Sequence, residues 1–229
     1  MMGYTAIVAG GTGLVGSELI QLLLQDRAYE RVIALVRTNI QTQYLQGSEK
    51  LVQIVTDFNH LDADVPASDI EHAHVFCTLG TTIKKAGSQE QFRKVDLTYP
   101  LNLAELASVH NADVFAIVTA MGANSKSTIF YNRVKGEVEE KLRELNLPAL
   151  YMLRPSLILG DRKEVRAGEK IGSLVSRAVA PLMIGGLRTY RPIQAKVIAA
   201  GLIASAKSGR AGAHVVLSSQ IAELGDILN

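Results

Sequence analysis

The chain has 229 residues, 48% of them hydrophobic, with 24 Lys or Arg against 22 Asp or Glu and a single cysteine, Cys77. That length and apolar content support one main α/β domain. The near-balanced charge carries no electrostatic footprint for nucleic acid or an anionic membrane, and one cysteine excludes an internal disulfide. Apolar runs such as LIQLLL and VIAAGLIA fall short of the ~20 residues of a membrane span, and Tyr4–Val8 lacks a basic leader and reads as a strand, so a soluble protein of the reducing cytoplasm is expected.

The first predicted element is a strand over Tyr4–Gly10, which breaks into Gly10-x-x-Gly13-x-x-Gly16 and passes at once into a helix over Gly13–Asp26. Glycines permit a tight turn and a close approach of backbone to phosphate, and the helix presents N–H groups and its positive dipole end to an anion. This is the pattern of a dinucleotide pyrophosphate cradle lined by Gly10, Thr12, Gly13, Leu14, Val15 and Gly16. No Gly-Lys-Ser/Thr follows, which disfavours a triphosphate P-loop. A second strand, Arg31–Arg37, ends on a guanidinium where a NAD-binding unit carries an acid for the ribose 2′-hydroxyl. Arg37 suits a 2′-phosphate and stacks on adenine, with no carboxylate nearby to repel the phosphate, so NADP is favoured over NAD; otherwise it is a solvated strand-end cation.

The third strand, Leu51–Asp57, brings Asp57 and Phe58 to the adenine side, although Asp57 could equally cap the following turn. The fourth, Ala73–Gly80, delivers Leu79, Gly80 and Thr81 beside ribose and phosphates, because ligands of open α/β sheets gather at the strands' carboxyl ends. His72, His74 and Cys77 read as an edge-exposed histidine pair and a core thiol rather than a metal site. After a helix over Ser88–His110, the fifth strand, Asp113–Ala120, carries Thr119 at its ligand end, where a hydroxyl could hold a substrate carbonyl oxygen; Ser125 and Ser127 compete for that role.

The next helix, Tyr131–Leu145, sets Tyr131 and Lys135 one turn apart on one face. Free tyrosine titrates near ~10, so an acid/base tyrosine needs a neighbouring cation, and the lysine could also donate to a nicotinamide ribose. Glu137, Glu139, Glu140, Lys141, Arg143 and Glu144 read as the solvated face of this helix. A sixth strand, Ala149–Gly160, precedes a less regular stretch, 161–192, with a helix over Gly168–Val179, which reads as most of a small C-terminal substrate lobe. Arg162, Arg166, Arg188 and Arg191 there meet either solvent or an anionic substrate. A helix over Ile193–Lys207 and a strand over Ala213–Ser218 follow. Strands alternate with helices, and IVAG, VIALV, VFCTL and FAIVTA are apolar throughout, which implies a doubly wound parallel sheet in a single domain over 1–229.

Taken in order, Gly10-x-x-Gly13-x-x-Gly16 and Tyr131-x-x-x-Lys135 resemble the short-chain dehydrogenase/reductase superfamily. CTLGTTIKKAG, FRKVDLTYPLNLAELA, MGANSKSTIFYNRVKGEVE and LRPSLILGDR are similar to its atypical NADP-binding branch, which includes the Tat-interacting protein and is epimerase/dehydratase-like; the similarity runs to about Asp161. The resemblance implies a Rossmann-type sheet, Tyr131 as acid/base, Lys135 as its partner on the ribose, and Arg154-Pro155 leading the backbone past the nicotinamide carboxamide. Two positions depart: Thr119 stands where the family commonly has serine, and Asp96 where the superfamily's helix asparagine helps a proton relay. The function expected is an NADP-dependent oxidoreductase moving hydride between nicotinamide and a carbonyl or alcohol. The alternatives are an NADP(H)-sensing regulatory protein without turnover, and an epimerase or dehydratase. The expected partner is a small-molecule substrate, with no nucleic acid and no membrane; a homo-oligomer through the Ser88–His110 and Tyr131–Leu145 helices is open by superfamily analogy.

Overall fold

The computed structural model describes residues 3–41, 45–160 and 189–226. Seven strands form one sheet in the order β3-β2-β1-β4-β5-β6-β9, every pair parallel. They are β1 Tyr4–Ala9, β2 Tyr29–Val36, β3 Leu51–Val55, β4 His74–Cys77, β5 Val114–Val118, β6 Ala149–Arg154 and β9 Gly212–Leu217. A separate short pair joins β7 Ile158–Leu159 to β8 Ile193–Gln194. The helices are α1 Leu14–Gln25, α2 Leu61–Asp64, α3 Ala67–Ile70, α4 Ile83–Ala86, α5 Gln89–Arg93, α6 Tyr99–Val109, α7 Phe130–Arg143, α8 Ala195–Lys207 and α9 Ser218–Asp226.

The strands are apolar on both sides because both sides are covered. Alternate residues of β1 part company: Ala6 and Val8 join the cluster built with Leu19 and Leu23 of α1 and Ile198 and Leu202 of α8. Ile7 and Ala9 join the opposite cluster, with Leu103 of α6 and Val134 and Val138 of α7. This is the doubly wound, Rossmann-type arrangement expected. The strand order reverses between β1 and β4, and the crevice at that switch point, outside the strands' carboxyl ends, is where such sheets take ligands. Ala9 is in register with Leu35 on one side and Cys77 on the other, so the glycine turn, Arg37 and the β4 exit open onto one edge.

Several boundaries differ from the sequence reading. The stretch 149–160 divides into β6 and β7, because Pro155 has no N–H to continue the ladder and restricts the residue before it. The helix read over 88–110 is interrupted by a π turn, Lys94–Thr98, between α5 and α6. Pro100 explains this: it cannot donate to the carbonyl of Asp96, so the ladder widens by one residue. A helix that the sequence reading omitted, α9, follows β9 directly. The substrate-lobe helix 168–179 and Arg162, Arg166 and Arg188 lie outside the described residues. His74 is not edge-exposed: it is 3% exposed, and its Nδ1 lies 2.8 Å from the Tyr29 hydroxyl. Burial lowers it to about 4, and a neutral imidazole can accept from the tyrosine.

Candidate active site

At the glycine turn, Gly10 has φ +88°, and a Cβ there would stand 2.7 Å from the Thr78 carbonyl carbon. A Cβ on Gly16 would stand 2.2 Å from Gly10 O, so α1 starts against backbone that only glycine can approach. Thr78 fixes the opposite wall, its N–H and hydroxyl both donating to Ala9 O at 2.8 Å. Gly13 is the N-cap of α1 and no side chain caps it, which leaves first-turn N–H groups for an anion. Thr12 is exposed, whereas the Val15 side chain is buried in the core, so Val15 reaches a phosphate only through its backbone. The cradle fits a dinucleotide.

Arg37, exposed just past β2, lines a cleft of about 530 Å³ together with Val55, Thr56, Asp57, His60, Asp64 and Tyr99. Two carboxylates therefore share the cleft with Arg37, which the linear sequence did not reveal. Asp57 accepts the Asn59 N–H and side-chain amide, both at 2.8 Å, and these bonds hold its carboxyl below the usual range. Its turn-capping role is thus filled. Phe58 is a correction: at φ 66° its side chain turns inward, 2% exposed, with its ring 5.5 Å from that of Tyr99. It belongs to the core, and its backbone N–H and carbonyl are taken by Thr56 and Asn102.

Beyond β4, Leu79, Gly80 and Thr81 run along the same edge, and a Cβ on Gly80 would meet nothing nearer than Asp96 Oδ1 at 3.6 Å. Thr81 N–H donates to Asp96 Oδ2 at 2.8 Å. The other oxygen of that carboxylate pairs with Lys135 Nζ at 2.8 Å, the two side chains 4% and 1% exposed. Burial pulls Lys135 down, but Asp96 and Tyr131 outweigh it and hold the ammonium above its ordinary value. Tyr131, one helical turn earlier, is 37% exposed, its ring 5.8 Å from that of Phe92. A phenol open to solvent beside a buried ammonium is chemically suited to exchanging a proton with a bound oxygen.

Thr119 is brought elsewhere. Its hydroxyl lies 2.6 Å from Glu139 Oε1 and 3.2 Å from Leu153 O, and Thr119 is buried. Glu139, 1% exposed, also receives Arg154 through Nε at 2.9 Å and Nη2 at 2.5 Å. The Arg154 guanidinium, raised above its usual value by those bonds, is thereby held by protein. Pro155 O accepts Met121 N–H at 3.2 Å, tying the β6 exit to the loop after β5. The competing hydroxyls are engaged as well: Ser125 donates to Glu140, and Ser127 accepts Ile129 N–H at 3.1 Å. Glu139 therefore does not belong to a solvated face. The signal that could have found it is its place four residues after Lys135 and next to Val138, on the buried stripe of α7. His60 was also missed; it is exposed, and nothing in its spacing marks it.

Comparisons with known proteins give the family and the fold. A family model described as NAD(P)H-binding matches residues 10–180. Protein HTATIP2 of Rattus norvegicus is 35% identical over 169 residues, covering 74% of this chain and 69% of that protein. Protein FMP52, mitochondrial, of Candida albicans is 29% identical over 207 residues, covering 90% and 89%. Among solved structures, UDP-N-acetylglucosamine 4-epimerase from Methanobrevibacter ruminantium M1, in complex with UDP-N-acetylmuramic acid, matches with a TM-score of 0.67 at 18% identity, covering 99% of this chain and 81% of that one. MoeE5 in complex with UDP-glucose and NAD matches with a TM-score of 0.66 at 15% identity, covering 98% and 81%. These two share the fold.

Proposed function

The chain belongs to the NAD(P)H-binding family, and from that premise we propose that it is an NADP-dependent oxidoreductase of short-chain dehydrogenase type, acting on a carbonyl or alcohol of a small molecule. The observation that carries this reading is Tyr131 standing one turn from a buried, carboxylate-paired Lys135 at the same sheet edge as the glycine turn. The nicotinamide, when bound, supplies or accepts hydride. Gly10, Thr12, Gly13, Leu14, Val15 and Gly16 would hold the pyrophosphate, and Arg37 the 2′-phosphate. Leu79, Gly80, Thr81 and Pro155 would line the ribose and nicotinamide with backbone.

Tyr131 gives or takes the proton on the substrate oxygen, and Lys135 supplies the fixed positive charge beside it and would donate to the nicotinamide ribose. Thr119 could orient that oxygen only by releasing Glu139, so we assign it and Arg154 to supporting the β5 and β6 exits. Tyr131→Phe should lower turnover by roughly 10²–10⁴-fold, as loss of a general acid/base does, with NADPH affinity within about twofold. The assay is a carbonyl panel followed at the nicotinamide absorbance, and turnover retained by the variant removes the tyrosine from the mechanism. Altered substrate at unchanged absorbance would mark an epimerase or dehydratase instead, and persistent silence with tight NADPH binding would mark a sensing protein.

Among the described residues no helix is long and apolar enough to cross a membrane. The cytoplasm is the compartment we assign; the fungal relatives are named mitochondrial, and fractionation decides between the two. Light scattering tests whether the chain forms a homo-oligomer.

A further inference from the structure

Lys135 enters the core from α7 and meets its counter-charge on another segment, Asp96, at 2.8 Å. Burial lowers the pH at which an unpaired lysine loses its proton, and a neutral amine offers no fixed positive charge to a neighbouring phenol. Asp96 sits in the π turn Lys94–Thr98, an irregularity of the kind that commonly re-aims a side chain at a functional site. Its second oxygen accepts Thr81 N–H at 2.8 Å, so the carboxylate is held from the β4 side as well.

The groups that act on Lys135 are Asp96 from the π turn, Tyr131 from its own helix and Cys77 from β4. Burial pushes the Cys77 thiol up to about 12, which leaves it uncharged, so Asp96 is the carboxylate among the three. An asparagine at this position would keep the size and the bond to Thr81 but supply no charge.

Resting on Tyr131 and Lys135 as the acid/base pair, we infer that Asp96 is a positioning residue for that pair: its carboxylate keeps Lys135 an ammonium, aims it, and ties it to the loop after β4. Because the folded protein holds Lys135 above its ordinary value, its charge persists through neutral and mildly alkaline pH. Removing Asp96 leaves burial to prevail, the midpoint falls, and the charge is lost on the alkaline side.

The test is side-chain NMR titration of the full-length protein with labelled lysine, Lys135 being assigned by its loss in Lys135→Arg. The wild-type signal should stay charged beyond the free-lysine value of ~10.4, and in Asp96→Asn the midpoint should fall by at least about one pH unit, a tenfold loss of proton affinity. Equal midpoints would overturn the inference. NADPH fluorescence supplies a second readout: affinity of the wild type should change by less than about twofold between about pH 7 and about pH 9.5, whereas Asp96→Asn should lose about tenfold at the higher value. A variant that binds NADPH as the wild type does at both pH values overturns the inference too. If the wild type does not bind NADPH, the proposed function fails, while the NMR titration still decides the role of Asp96. If Asp96→Asn does not fold, the charge-free pair Asp96→Asn with Lys135→Gln should restore a native near-ultraviolet spectrum; continued failure would assign Asp96 to packing and overturn the inference.

Discussion

Arg37 shows how much one side chain can say about a ligand and where that stops. A guanidinium at the end of β2 suits a 2′-phosphate, and charge-assisted bonds of this kind contribute about 1.5–3 kcal/mol. Asp57 and Asp64 line the same cleft and oppose a phosphate, so the NADP preference that we propose rests on the difference between nearby opposite charges. Arg37→Ala should weaken NADPH by about tenfold and leave NADH unchanged within about twofold. Fluorescence titration with both nucleotides checks this, and equal losses for the two would make Arg37 an adenine-stacking residue instead. Phe58 gives the opposite lesson: adjacent to Asp57 in sequence, it faces away from the cleft because φ 66° turns its ring onto Tyr99.

At the scale of an element, α7 joins two buried polar clusters from one stripe. Lys135 turns to the π turn, and Glu139, one turn further on, gathers Thr119 and Arg154 from the ends of β5 and β6. Removing one member of a buried charged cluster leaves the rest unpaired, at up to 3–5 kcal/mol. Arg154 retains partial exposure, so the cost here should be smaller. Glu139→Gln is expected to destabilise the fold by about 2 kcal/mol, read as a lower urea midpoint at unchanged slope. A midpoint equal to wild type would show that solvent replaces the carboxylate at Arg154. The charge run of α7 looked solvated because charge in a one-dimensional sequence carries no depth; the interleaved Val134, Val138 and Leu142 are what assign the inward side.

For the whole molecule, a histidine buried at the start of β4 makes stability depend on acid pH. His74, buried between Tyr4, Tyr29 and Phe76, has a folded value of about 4 against an ordinary 6.5, desolvation being the main cause. A depressed value means that the folded state favours the neutral ring. That stability is fully present above 6.5 and is lost as pH falls towards 4, amounting to about 2 kcal/mol near pH 5. Urea unfolding at neutral pH and near pH 5 should show the drop, and His74→Gln should flatten it; a variant as acid-sensitive as the wild type would move the effect to other groups. By itself the sequence determined the local features: the glycine turn, the apolar strands with their helical cover, Arg37 at a strand end, and Tyr131 one turn from Lys135. Those follow from periods of two and 3.6 residues and from the freedom of glycine, which neighbouring residues express wherever they are placed. Only the tertiary structure decided that Lys135 meets Asp96, that Glu139 meets Thr119 and Arg154, and that Asp57 and Asp64 share the cleft of Arg37. Such meetings join segments far apart in the chain, and they are set by how helices pack on the sheet, which no spacing within one segment contains.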